Sequence, residues 1–200
     1  MRCLMCQKLK DSGSFRDIFD SSDPLCAECR SQWQKKRIRF RYEGIPLESS
    51  YVYNDAFSKC LIQYKELNDE ALKDVFLYEE KERLHRRYHG YTLCLLPSSE
   101  EKRRKRGFSH LEKMFGCLDL DMLEPFEKTT VQSQKKATVG QRLEMRHHIR
   151  LKEGIRLPEK IVLCDDTITT GATISGALSC LDLKAQKVRI YTVSANHRWL

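Results

Sequence analysis

No run of about eighteen apolar residues occurs in the 200-residue chain, so no stretch of it predicts a membrane-spanning helix. Met1-Arg2-Cys3-Leu4 lacks the apolar core of a secretory leader, and the expected location is the cytoplasm. An even cysteine count is also missing. Nine cysteines do not make a complete disulfide framework, and buried thiols plus a metal site in a reducing compartment account for them better. No internal repeat is present. What the chain has in excess is charge: 32% of it is Asp, Glu, Lys or Arg, with a formal net charge of +8. A solvated globular protein with an anionic partner, such as phosphate, nucleotide or nucleic acid, fits that balance.

Four of the cysteines form two pairs, Cys3-x2-Cys6 and Cys26-x2-Cys29, with nineteen residues between them. Each Cys-x-x-Cys turn brings two sulfurs onto one ion, and four thiolates satisfy tetrahedral zinc in a closed, structural shell. Two reduced or redox-active pairs are the alternative. Lys10 to Pro24, between the pairs, reads as a polar loop, and a short helix is expected from Cys26 to about Lys36.

Trp33-Gln34-Lys35-Lys36-Arg37-Ile38-Arg39-Phe40-Arg41-Tyr42 then interleaves cations with aromatics. Cations neutralise phosphates and aromatics stack on unpaired bases, so Lys35, Lys36, Arg37, Arg39 and Arg41 are candidate contacts to single-stranded DNA. A packed connector with solvated cations is the plainer reading. Gly44-Ile45-Pro46 marks a boundary, giving an N-terminal segment of residues 1–42 and a larger domain of residues 43–200.

In that larger domain, strands are expected at Glu48–Tyr53, Tyr91–Leu96, Met122–Phe126, Lys160–Cys164 and Val188–Ala195. Helices are expected after Asn54 or Asp55, from Glu70 to Arg86, from Phe108 to Cys117 and from Thr173 to Leu183. Lys128 to His148 reads as a long cationic loop containing Lys135, Lys136, Arg142, Arg146 and His147. Strands alternating with helices predict an α/β domain with a parallel sheet.

The most informative stretch runs from Lys160 through Ile161-Val162-Leu163-Cys164 to Asp165-Asp166, and then through Thr169-Thr170-Gly171-Ala172-Thr173. A buried strand delivers two carboxylates at its C-terminal edge, and a small-residue turn opens a helix. In open α/β sheets that edge binds ligands. Backbone N–H groups and threonine hydroxyls suit a phosphate, and Gly171 allows close approach. Asp165 and Asp166 suit vicinal sugar hydroxyls, with Mg2+ able to bridge sugar and pyrophosphate oxygens. A strand-to-helix turn using Asp or Thr as a simple cap is the alternative. A second cationic run, Lys102-Arg103-Arg104-Lys105-Arg106, precedes Gly107-Phe108-Ser109-His110, and its guanidinium groups suit pyrophosphate or a polynucleotide backbone, with a solvated basic loop as the alternative.

The Asp165-Asp166 stretch resembles the type I phosphoribosyltransferase signature. That resemblance implies that Asp165 and Asp166 hold the ribose of phosphoribosyl pyrophosphate (PRPP) and that Thr169, Thr170, Gly171, Ala172 and Thr173 hold its 5-phosphate. Arg104-Lys105-Arg106-Gly107-Phe108, the four N-terminal cysteines, Leu61 to Lys65 and Gln134 with Arg142 together resemble the ComF family of competence proteins, also called ComFC. Ser109, His110 and Met145 depart from its usual residues. The resemblance implies a zinc ribbon before a type I phosphoribosyltransferase-like domain, with Arg104 and Arg106 toward pyrophosphate. It also implies a role in natural transformation beside a helicase-like ATPase of the ComFA type. Three functions follow: a DNA-uptake accessory protein that keeps a PRPP-type pocket, an active phosphoribosyltransferase with an unidentified acceptor, or a zinc-stabilised adaptor whose pocket is vestigial.

Overall fold

The computed structural model describes residues 1–10, 22–98, 100–129 and 148–200. The expected phosphate-loop residues all lie within these stretches. Gln134, Lys135, Lys136, Arg142, Met145, Arg146 and His147 lie outside the described residues.

The chain begins with a knuckle whose two arms are joined by a bridge between Arg2 and Leu9. Its second cysteine pair lies at the start of helix α1 (Ala27–Ser31). Trp33 follows, 5% exposed, packed against Tyr51, Phe57 and Phe76. It is a core residue and not a platform for bases. Strands β1 (Lys35–Tyr42) and β2 (Ile45–Val52) form an antiparallel hairpin. Glu43 and Gly44 turn it with φ of 49° and 80°, the left-handed pair that matches the twist of the flanking strands.

Helix α2 (Asp55–Lys65) starts where the Asn54 side chain accepts the Phe57 N–H. Phe57, Cys60, Leu61 and Tyr64, at helical spacing, bury one face of it. The single helix expected over residues 70–86 is broken into a 3-10 turn (Glu70–Asp74) and α3 (Lys81–Tyr88). Val75, Phe76 and Leu77 are consecutive and all fully buried, which a helix with one buried face does not allow.

The remaining elements are β3 (Thr92–Leu95), α4 (Glu100–Arg106), α5 (His110–Phe115), β4 (Met122–Leu123), β5 (Phe126–Thr129), β6 (His148–Leu151), β7 (Lys160–Ile168), α6 (Ala172–Leu178) and β8 (Lys187–Ala195). The main sheet has six strands in the order β1-β2-β8-β7-β3-β4, parallel except for the β1–β2 hairpin. This is the α/β class with a mostly parallel sheet that the alternating pattern predicts. The strand expected over Met122–Phe126 is divided instead, because Pro125 has no N–H to give a ladder. Its first part joins the main sheet and its second pairs with β6 in a separate two-stranded ribbon. Both ends of the stretch read as a loop are therefore strand.

Along β7 the side chains alternate. Ile161 and Leu163 enter the apolar layer beneath α6, while Val162 and Cys164 enter the layer holding α2, Phe76 and Tyr191. Cys3, Leu25, Cys26 and Trp33 belong to that second layer too, so the knuckle is packed onto the domain. A buried ion pair, Arg30 to Asp23 at 2.7 Å, reinforces the junction, and Arg30 also donates to the Val75 carbonyl at 3.0 Å.

Candidate functional site

Strand β7 runs past its neighbour. β3 ends at Leu95, opposite Cys164, while β7 continues through Asp165 and Asp166 to Ile168. The acids thus lie within the strand, where sequence reading put them at its end. They project beyond β3 into a crevice at the C-terminal edge of the sheet, the usual position of a ligand site in an open α/β fold. The crevice holds about 440 Å³, and its walls include Lys65, Arg106, His110, Asp165, Thr169 and Thr173.

The two acids are not equivalent. Asp166 is 5% exposed, and its Oδ2 receives the Lys65 ammonium at 2.6 Å and His110 Nε2 at 2.8 Å. Burial opposes its charge, but Lys65 and His110 outweigh burial and hold its pKa below the usual carboxylate range. Asp165 is half-buried, and its Oδ1 accepts the Asp166 N–H at 2.9 Å. Burial, followed by repulsion from Asp166, pushes its pKa up to about 7. The two acids, expected to act alike on sugar hydroxyls, thus differ in setting: Asp166 is engaged by the protein's own cations.

Behind Asp166 lies a chain of polar contacts. Arg106 is 6% exposed, and it donates from Nε to the Lys65 carbonyl at 2.8 Å and from its terminal nitrogen to His110 Nδ1 at 2.9 Å. Arg106, expected at a pyrophosphate, lines the crevice wall. Arg104, two residues earlier, is exposed and borders a neighbouring cavity of about 800 Å³. The two cavities share Leu96, Pro97, Ser98, His110 and Lys128.

The loop after β7 is held from outside. Gly171 has φ of 84°, and a Cβ there would overlap the Tyr42 ring and hydroxyl. The Tyr42 hydroxyl lies 2.7 Å from Ser175 Oγ, and Trp199 Nε1 donates to the Thr169 carbonyl at 2.9 Å. Trp199 in turn stacks on Phe40 and meets Tyr42 edge-on. Thr169 and Thr173 border the crevice. Thr170 turns its hydroxyl back to the Ala172 N–H at 3.3 Å, and Gly171 and Ala172 form the turn itself.

On β1, Lys35, Lys36, Arg37, Arg39 and Arg41 are all exposed. Lys35 pairs with Glu79 and Glu80, Arg39 with Glu48, and Arg41 donates to the Gly44 carbonyl. Phe40 and Tyr42 point to the opposite face of the strand from Arg39 and Arg41, toward Trp199. In the ribbon, Arg150 pairs with Glu127 at 2.6 Å.

In the knuckle, the ligand atoms of Cys3, Cys6, Cys26 and Cys29 all lie within 4.8 Å of one another, and the Cys6 and Cys26 sulfurs are 3.8 Å apart. Tetrahedral thiolates at the usual zinc–sulfur distance would be about 3.8 Å apart, so the donor set fits such an ion. Burial raises the pKa of the Cys3 thiol, but backbone hydrogen bonds from Cys6 and Cys26 outweigh this and lower it to about 7.

Lys65, His110, Tyr42 and Trp199 are the residues that reading the sequence misses as parts of the site. Lys65 and Asp166 are 101 positions apart, and no local spacing announces such a pair.

Fold and site together define a class: an α/β protein with a mostly parallel sheet, a small-residue loop beyond two acids at the C-terminal edge of that sheet, and an N-terminal four-cysteine knuckle. No protein-family model matches the chain. It is similar to the competence protein ComFC of Streptococcus pneumoniae (strain ATCC BAA-255 / R6), 25% identical over 207 aligned positions that cover 91% of this chain and 94% of that one. It is also 28% identical to ComFC of Bacillus subtilis (strain 168) over 159 positions, covering 78% of this chain and 65% of that relative. Both relatives are named as competence proteins, and the likeness to them spans most of this chain.

Among the described residues, no helix is long and apolar enough to cross a membrane.

Proposed function

We propose that this chain is a competence accessory protein that binds a phosphorylated sugar of the PRPP class in the crevice beyond β7. The observation that carries this reading is the composition of the crevice wall. A half-buried carboxylate, Asp165, stands beside a fixed cation, Lys65, with the hydroxyls of Thr169 and Thr173 on the same wall. Asp165 accepts sugar hydroxyls, the threonines and the loop backbone take the 5-phosphate, and Asp166 orients Lys65. Mg2+ would arrive with the pyrophosphate as part of the ligand. The four cysteines hold a structural zinc ion. The similarity to proteins named for competence supports the DNA-uptake role, in which a helicase-like ATPase of the ComFA type is the expected partner.

The exposed cations of β1, with Lys36 and Arg37 foremost, are the proposed contact to single-stranded DNA through its phosphates. Binding that weakens steeply with salt and drops in Lys36→Ala/Arg37→Ala supports this contact. No binding at low ionic strength removes it.

The second reading, an active phosphoribosyltransferase, is favoured by the neighbouring cavity, which shares a wall with the crevice and gives an acceptor room. Calorimetry with PRPP and Mg2+ on the wild type and on Asp165→Ala, together with a pyrophosphate-release assay and a transformation assay, separates the readings. Binding without turnover, lost with transformation in the variant, supports the accessory role. Pyrophosphate release with some acceptor supports the enzyme. Absence of binding in the wild type refutes both.

A further inference from the structure

We propose that His110 is the positioning residue of this site: its imidazole ties Arg106 to Asp166 and so fixes Lys65 as the cation that meets an anionic ligand. The ligand clause rests on the sugar-phosphate reading above. The geometry of the tie does not.

Chemistry dictates the state of the ring. Arg106 can only donate, so His110 Nδ1, 2.9 Å from it, is an acceptor and carries no proton. Asp166 is an ionised acceptor, so Nε2, 2.8 Å from it, is the N–H. A neutral ring with its proton on Nε2 is the one form that satisfies both neighbours. The ring is confined further: it is 4% exposed, and its own carbonyl receives the Tyr64 hydroxyl at 2.7 Å. The charged groups facing it are Lys65 from α2, Arg106 from α4, and Asp166 with Asp165 beside it from β7. Burial lowers the imidazole pKa, Asp166 pulls against this, and Lys65 and Arg106 reinforce it, with a net downward shift.

Two consequences follow. Asp166 has one oxygen shared between Lys65 and His110, so loss of the imidazole leaves Lys65 as its remaining partner on that oxygen and removes one of the contacts that hold Arg106, which keeps its bond to the Lys65 carbonyl. Protonation of His110 puts an N–H at Nδ1 against the guanidinium, and the tie opens in acid. Glutamine offers the same pair of functions, an acceptor oxygen and a donor nitrogen, without titrating. It is therefore the variant that distinguishes a positioning role from mere packing.

The test has two arms. In the first, a long-range proton–nitrogen spectrum of the 15N-labelled full chain, assigned through the signal lost in His110→Gln, reports the ring directly. A proton on Nε2 and a bare Nδ1 at about pH 7.5 are expected. A proton on Nδ1, or a doubly protonated ring, overturns the proposal. In the second, PRPP with Mg2+ is titrated against the wild type, His110→Gln, His110→Ala and Lys65→Met from about pH 5.5 to pH 8. His110→Gln is expected within about threefold of the wild type at the upper end. His110→Ala and Lys65→Met are expected to be about tenfold weaker or more, the size of a lost charge-assisted contact. In acid, at a pH below the range of an unperturbed imidazole, the wild type loses affinity more steeply than His110→Gln, by up to one further proton. His110→Gln about tenfold weaker than the wild type at the upper end overturns the proposal, and this comparison does not need the alanine variant to fold. If the wild type shows the expected ring but does not bind PRPP, the sugar-phosphate reading fails while the spectrum still decides the tie.

Discussion

Asp165→Asn should stabilise the protein, and increasingly so as the pH rises from about 4 to about 7. In the folded chain, burial and the neighbouring Asp166 push the Asp165 pKa up to about 7, against 3.8 for an unperturbed aspartate. Between those values the folded state holds a proton that the unfolded state has released. Stability therefore falls as the pH rises through the window and levels off above it. Three units at 1.36 kcal/mol each set a ceiling of about 4 kcal/mol. Asp165 borders an open crevice, where water relieves part of that cost, so about 2 kcal/mol is expected. Asparagine removes the charge and keeps an oxygen for the Asp166 N–H now held at 2.9 Å. For a 200-residue chain this predicts a melting temperature about 4 to 8 °C above the wild type at pH 8, shrinking to nothing near pH 4. The measurement is thermal unfolding of both proteins at matched pH values, using their difference so that other titrating groups cancel. A difference that stays constant from pH 4 to pH 8 would refute the account of a strained, half-buried Asp165.

Asp166→Ala should act in the opposite direction: it strips Lys65 and His110 of their shared partner and should cost about 3 kcal/mol, since breaking a buried pair leaves a charge uncompensated. A loss under about 1 kcal/mol in denaturant unfolding would show that the pair carries little. Chelation should release one zinc ion per chain and expose amides up to about Ser31 to hydrogen exchange, while β1, paired with β2, stays protected. Loss of protection in β1 as well, or purified protein free of metal, contradicts this. Gly171→Ala meets both an unfavourable φ of 84° and the Tyr42 ring, so about 2 kcal/mol or more should be lost. Combining it with Tyr42→Ala should recover the part due to overlap, and strict additivity of the two changes would place the cost in the backbone alone.

Much of the main sheet was legible because a buried parallel strand is a short apolar run between turn formers. Ile161 to Cys164 and Val188 to Ala195 announce themselves in this way. The Cys-x2-Cys pairs were equally plain, since spacing alone brings their sulfurs together. What failed to show was whatever depends on a partner distant in the chain. Trp33, amid cations, looked like a base-stacking residue, and only the fold reveals that Tyr51, Phe57 and Phe76 enclose it. Val75 to Leu77 looked like the middle of a helix because periodicity counts apolar residues without knowing how many sides will be covered.

The same limit explains the acids. Asp165 and Asp166 are adjacent and chemically identical, so the sequence assigns them one role. Alternation along a strand turns consecutive side chains to opposite sides. Asp166 is thereby directed to Lys65 and His110, while Asp165 is left against Asp166 with its charge opposed. The difference between the two acids follows from β7 running four residues beyond Cys164, to Ile168, where β3 has already stopped. Had the strand ended at Cys164, as its apolar run suggests, both acids would have been free to turn together toward one ligand. The length of β7, more than the identity of either residue, sets the two carboxylates in different surroundings.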